Sequence, residues 1–279
     1  MAGKPQKQFS FFERRMVFTV AAVGATVLVA LWVWLQNVKL QHGSFTSGYV
    51  LLGSLFFLTM LGMRKRLTFI PAIGSASFWM QLHIYVGLAS FAVFAIHVGP
   101  RIPSGGLEMF LAVLYLLVAF SGFYGLYVTR VVPRKLSAIN EEVIFERIPS
   151  MRNQIAVAAR AMVLEACVNS EVLAKFYVRR LAAFFERPRS LAYAINPSGR
   201  TRRQLIGEIE ELDRFLAEDQ RSVSRRLAVL IRKKDDLDFH QAMQGRLKVW
   251  LFVHIGMTYS LLLVAIVHGV LAHAFSGGL

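Results

Sequence analysis

Apolar residues run almost unbroken through five stretches of this chain, at residues 16–36, 45–63, 79–99, 107–128 and 249–275. None has a lysine or arginine in its interior, and each approaches the roughly 20 helical residues that crossing a hydrocarbon core requires. The pattern predicts five transmembrane helices. The first resembles a secretory signal because Lys4, Lys7, Arg14 and Arg15 precede it. It is followed by Trp34-Leu35-Gln36-Asn37-Val38-Lys39 with no small-x-small cleavage pattern, so it is expected to be a retained anchor.

Between the fourth and fifth stretches the pattern changes. Ser150 is placed to cap a helical run reaching Ala183, with apolar positions at Ile155, Val163, Val172 and Phe176. Arg187-Pro188 and Asn196-Pro197-Ser198-Gly199 interrupt it. A second run follows with Leu205, Ile209, Leu212, Leu216, Val223, Leu227 and Leu230, in steps of three, four and seven that describe an amphipathic or coiled-coil helix. Residues 130–248 are therefore expected to form an extramembrane helical hairpin.

Charge then orients the chain. Of 279 residues 55% are hydrophobic and only 18% charged, yet the net charge is +15. Ordinary soluble domains carry about 25% charged residues, and the apolar and aromatic content excludes disorder. Of the 32 Lys and Arg residues, the N-terminal residues 1–15 hold four, Arg64, Lys65 and Arg66 follow the second stretch, and residues 130–248 hold 23. The connections on the other side hold Lys39 and Arg101 alone. The positive-inside rule puts the N-terminus and 130–248 in the cytoplasm and residues 276–279 outside, which suits a plasma (inner) membrane protein. The hairpin carries 23 basic against 15 acidic residues, a net +8. Such a balance suits a solvated face near anionic headgroups. It contains no nucleic-acid reading motif. The single cysteine, Cys167, removes disulfides, cysteine-based metal clusters and c-type haem attachment.

Histidines carry the candidate chemistry. His83 and His97 lie 14 residues apart on the third stretch, and His254 and His268 lie 14 apart on the fifth. At about 100° per residue, 14 steps fall about 40° short of four turns, so each pair shares a helix face, separated by roughly 21 Å along the axis. Both stretches cross in the same direction, so His83 shares a depth with His254, and His97 with His268. A lone intramembrane histidine is commonly an interhelical hydrogen-bonding residue or part of a proton relay. Two equal spacings on parallel helices point instead to paired axial imidazoles for two six-coordinate haem irons. Zinc or copper is disfavoured, because each level has two imidazoles and no nearby carboxylate or thiolate. His273 lies about 140° from His268 around the helix. It is assigned to the outer surface, with proton handling at a quinone or partner site as the alternative. His42 and His240 receive no role.

These residues resemble the di-haem b-type cytochrome superfamily, including the cytochrome b of quinol–cytochrome c oxidoreductases and, more distantly, the ferric reductases. The resemblance covers stretches two to five and rests on His-x13-His on the second and fourth helices of a four-helix bundle. Gly48 and Gly62 support it, because that superfamily carries two glycines 14 apart on the first bundle helix, where only a residue without Cβ permits close approach. Gly62 is expected beside His83 and Gly48 beside His97. The fourth stretch has Gly122 and Gly125 but no matching partners, and the insertion at 130–248 exceeds the family's connection. The resemblance implies an all-α polytopic protein whose residues 45–129 and 249–275 hold two haem b groups. It implies Arg64, Arg66, Arg130 and Arg101 as candidate partners for haem propionates, and electron exchange with a quinone and with other redox subunits of a membrane complex. No GxGxxG fingerprint for a flavin or nicotinamide is present. The expected function is transmembrane electron transfer within an oxidoreductase complex. The alternatives are a non-catalytic docking scaffold of a redox or photosynthetic complex and a histidine-bearing transporter.

Overall fold

A computed structural model describes residues 11–39, 43–64, 75–100, 102–139, 143–166 and 171–276. Among them every regular element is helical, and five helices are long and apolar enough to cross a membrane. They are α1 (Phe11–Val38), α2 (Gly43–Arg64), α3 (Ala76–Val98), α4 (Gly106–Ser137) and α10 (Glu218–Ser276). The chain forms two compact units. The first takes the described residues up to Tyr124 together with those from Phe252 onward; the second is Gly125–Leu251. Helices α4 and α10 contribute to both.

In the first unit local signals set the helix ends. Ser75 caps α3, its hydroxyl oxygen accepting from the Phe78 amide at 3.2 Å. Gly99 ends the helix at φ +65°, a left-handed conformation that costs a glycine little, and its amide returns to the Ala95 carbonyl at 3.0 Å. Helix α1 lies on α3, with Phe18 stacked on Tyr85 at 5.5 Å. The core of the unit joins Leu51 and Leu55 of α2, Val93 of α3, Tyr115 of α4 and Leu261 of α10. Most other large apolar side chains point outward, Leu28 and Phe252 among them, as a lipid-facing surface requires.

The second unit differs from the expected hairpin. Its first arm is α5 (Ile148–Ala166), whose early Pro149 suits a first turn that lacks amide partners anyway. Then come α6 (Glu171–Phe176) and α7 (Ala182–Glu186), joined by a π-helical turn over Tyr177–Leu181. The Pro188 and Pro197 breaks leave the short α8 (Leu191–Ile195), and α9 (Arg200–Leu212) follows. The second predicted run is not one helix. A 3-10 turn at Asp213–Phe215 and an extended Leu216 divide it, so Leu205 and Ile209 lie on α9 while Val223 and Leu227 lie on α10. Burial explains the break: Leu216 at the corner is 4% exposed, and the halves fold onto one core with Leu173, Leu181 and Phe185. Hydrophobic periodicity continues across such a corner, so it does not reveal it.

The fifth stretch is also not a separate element. Residues 249–275 are the C-terminal part of α10, which runs 59 residues with no proline. Charge is buried on its earlier part. Lys234 (0% exposed) pairs with Asp238 and lies 4.6 Å above the Phe184 ring. Arg189 reaches Asp235 at 2.8 Å and Asp238 at 3.1 Å. Burial pushes the Lys234 amine down and the Asp235 carboxyl up from their ordinary values, with Arg189 opposing the latter shift.

Candidate functional site

The four predicted histidines lie in the first unit. His83 and His254 are near enough to interact electrostatically, and His97 stands in the same relation to His268. The pairs are those the equal spacing predicts. Each joins a residue of α3 to one of α10.

Around His97 the ring has a defined seat. Its Nδ1 lies 2.9 Å from the hydroxyl of Ser47, a fully buried side chain of α2. The Ser47 oxygen also lies 3.0 Å from the Ser44 carbonyl and 3.3 Å from the Gly43 carbonyl, which can only accept. The single hydroxyl proton has these carbonyls as acceptors, and when it goes to one of them the oxygen is free to accept from His97 Nδ1–H. In that arrangement Nε2 keeps its lone pair. Gly48, the next residue, is where α2 passes the ring: a Cβ there would lie 3.2 Å from His97 Cε1.

His97, His268, Gly48, Tyr115, Leu261 and His273 are among the residues lining a cavity of about 480 Å³. Tyr115 is held by stacking on Phe94 at 4.1 Å and by a 3.0 Å hydrogen bond with Ser90. His273 is exposed. It also borders this cavity, which its angular offset from His268 did not suggest, and its Nε2 lies 2.7 Å from the Tyr49 hydroxyl.

At the other level Ser121 lies 3.1 Å from His254 Nδ1, and a Cβ on Gly122 would come within 3.9 Å of His254 Cε1. His83 Nδ1 is buried with no hydrogen-bond partner among the described residues. Gly62 is not beside His83. A Cβ there would meet the Tyr259 hydroxyl at 3.5 Å, while His83 lies against the α2 backbone at Leu58, one turn away. Ideal antiparallel counting assumes level helix ends, and a one-turn offset is enough to separate these residues.

Arg66, Arg101, His42 and Cys167 lie outside the described residues, as does the side chain of Arg64. Arg130 is exposed on α4 in the second unit. His240 is buried on α10 of that unit.

The two imidazoles at each level are the residues that would hold a porphyrin iron if one were bound. Among the described residues no three His, Cys, Asp or Glu side chains gather as ligands. A haem iron asks the protein for only two, because the macrocycle supplies four nitrogens. The serines at His97 and His254 and the cavity lined by both His97 and His268 agree with that demand, whereas His83 Nδ1 has no such hydrogen-bond partner among the described residues. Sequence reading missed Ser47 and Ser121. The one signal for either is a small polar residue next to a glycine in an apolar span. No family model, curated protein or solved structure matches this chain.

Proposed function

We propose that this protein is an electron-transfer subunit of a membrane oxidoreductase complex, holding one b-type haem between His83 and His254 and another between His97 and His268. The observation that carries the reading is that His83 of α3 lies near enough to His254 of α10 to interact electrostatically, and His97 to His268, the couples that the 14-residue spacing predicts. When bound, haem supplies one-electron chemistry between ferric and ferrous iron. The chain's own part is to hold the imidazoles and exclude water. Ser47 orients His97, Ser121 orients His254, and a hydrogen bond of this kind fixes the tautomer and raises ligand basicity. Leu51, Leu55, Val93 and Leu261 pack the bundle into a low-dielectric interior.

The proposed topology puts the His83–His254 level near the cytoplasmic face and the His97–His268 level near the outer face. Electrons would pass between a quinone pool at one face and a partner redox subunit at the other. The reduced-minus-oxidised absorption spectrum of the purified protein tests the proposal. A b-type signal equivalent to two haems per chain is expected, and its absence refutes it. Single variants sharpen the test. His83→Ala and His254→Ala should each remove the same haem, and His97→Ala and His268→Ala the other. Loss in crossed combinations would refute the pairing.

A further inference from the structure

Two segments of the second unit are fastened to α10 at residues 244–248, immediately before its apolar stretch begins at Val249. The Gln244 amide nitrogen donates to the Val143 carbonyl at 2.8 Å. The Lys248 amine lies 4.0 Å over the Phe145 ring and pairs with Glu146. Arg246 donates to the Ile195 carbonyl at the end of α8. Each fastening leaves a large apolar side chain facing outward at that height. Ile144 is 56% exposed, Ile195 76% and Leu191, one turn before it on the same face of α8, 85%.

The opposite face of α8 is anchored. Ser190 caps the helix, accepting from the Tyr193 amide at 3.3 Å, and the Arg189 guanidinium lies 4.9 Å over the Tyr193 ring while it binds Asp235 and Asp238. Leu191 and Ile195 therefore point outward because α8 is held from behind by buried contacts. The surrounding charge is mainly basic. Segments 143–147, 186–203 and 244–248 contain eight Lys and Arg against Glu146 and Glu186, and of the eight Arg189, Arg202 and Lys248 are paired with carboxylates.

We infer that this rim is a lipid-binding surface: Ile144, Leu191 and Ile195 enter the leaflet at which the fifth span begins, and the basic residues around them meet anionic headgroups. Continuity with the span commits the surface to the bilayer. Arg246 precedes Val249 by three residues, about 4.5 Å of helix rise, which lies within the headgroup region. An amphipathic element at that height buries its apolar face about 5–10 Å into the interface, and the basic flanks add affinity for anionic lipid. Docking also clamps the base of α10, which carries His254 and His268 farther along. The inference rests on the membrane span alone and stands whether or not haem is bound.

The test places a nitroxide on the full-length chain in nanodiscs. In a Cys167→Ser background, labels go at Leu191→Cys and Ile195→Cys, both too exposed to disturb packing. Val229→Cys serves as control, because it is exposed on α10 about 26 Å of helix rise before Arg246. Oxygen partitions into lipid and a water-soluble nickel chelate does not. The ratio of oxygen to nickel accessibility should be severalfold higher at 191 and 195 than at 229, and higher in phosphatidylglycerol than in phosphatidylcholine discs. Nickel accessibility equal to that at 229 overturns the inference. So does shielding from both reagents, which would signal a protein partner, and so does equal depth in the two lipids.

Discussion

The Ser47 hydroxyl oxygen sits 2.9 Å from His97 Nδ1 and 3.0 Å from the Ser44 carbonyl of the same helical turn. A residue with no charge and no coordinating role thus bears on which nitrogen of the imidazole is available. Replacing it with alanine removes the side-chain partner of His97 Nδ1. On the proposed two-haem reading, Ser47→Ala should weaken retention of one haem about 10–100-fold and shift its midpoint potential, leaving the other unchanged. Ser121→Ala should do the same to the other haem alone. Redox titration of each variant, followed at the haem absorption bands, reads both outcomes; an identical effect of the two variants on one haem would contradict the two-level arrangement.

Gly125 of α4 lies directly beneath the Trp250 indole of α10, within the second unit. A Cβ at this position would stand 2.0 Å from Trp250 Cζ2, so the rigid ring must move or the backbones must part. Gly125→Ala should destabilise the protein by about 1–3 kcal/mol. Trp250→Leu should recover most of that loss when combined with it, measured by thermal unfolding in detergent. Additive effects of the two changes would show that the contact is not what excludes the side chain.

The buried charges on α10 predict an asymmetry. Asp238 has Lys234 and, at 3.1 Å, Arg189, whereas the carboxylate paired with Lys234 is that of Asp238. Lys234→Met leaves Asp238 its arginine. Asp238→Asn instead strips the Lys234 ammonium of its counter-charge in a fully buried position, a situation that costs about 3–5 kcal/mol. Asp238→Asn should therefore lower the melting temperature more than Lys234→Met. The reverse order would show that Arg189 does not compensate.

Acid sensitivity should trace partly to Glu208. A hydrogen bond from Arg180 holds its carboxyl below the usual carboxylate value, with a further hydrogen bond from Gln204. Because the folded value lies below the unfolded one, this stabilisation is complete above the unfolded value and fades as pH falls through the folded one. The Arg180 side chain is 45% exposed, which limits the pair to about 1 kcal/mol. Glu208→Gln should cost at most that amount at pH 7 and flatten the melting curve's dependence on pH below about 4.5. An unchanged pH profile would assign the acid response to other carboxylates.

The chain's local pattern was enough to locate five apolar helices and to bring His83, His97, His254 and His268 into two levels. Both properties are written along single helices: length and apolar content mark a span, and a 14-residue repeat nearly completes four turns. Leu216 shows the limit, because apolar spacing continues smoothly across the corner where the predicted second arm divides into α9 and α10. Gly62 shows another, since its level relative to His83 depends on how far one helix slides past its neighbour.

What tertiary structure alone decided is which groups from separate helices finally meet. Ser47 and His97 are 50 residues apart, Ser121 and His254 are 133 apart, and no periodicity links either pair. Gly125 under Trp250 and the fastening of α8 to Arg246 belong to the same kind. Helix formation is dictated by neighbours within a turn or two, whereas the seat of an imidazole depends on rotation and offset between packed helices. The sequence therefore determined the four histidines and their spacing, and packing determined the orientation of their rings.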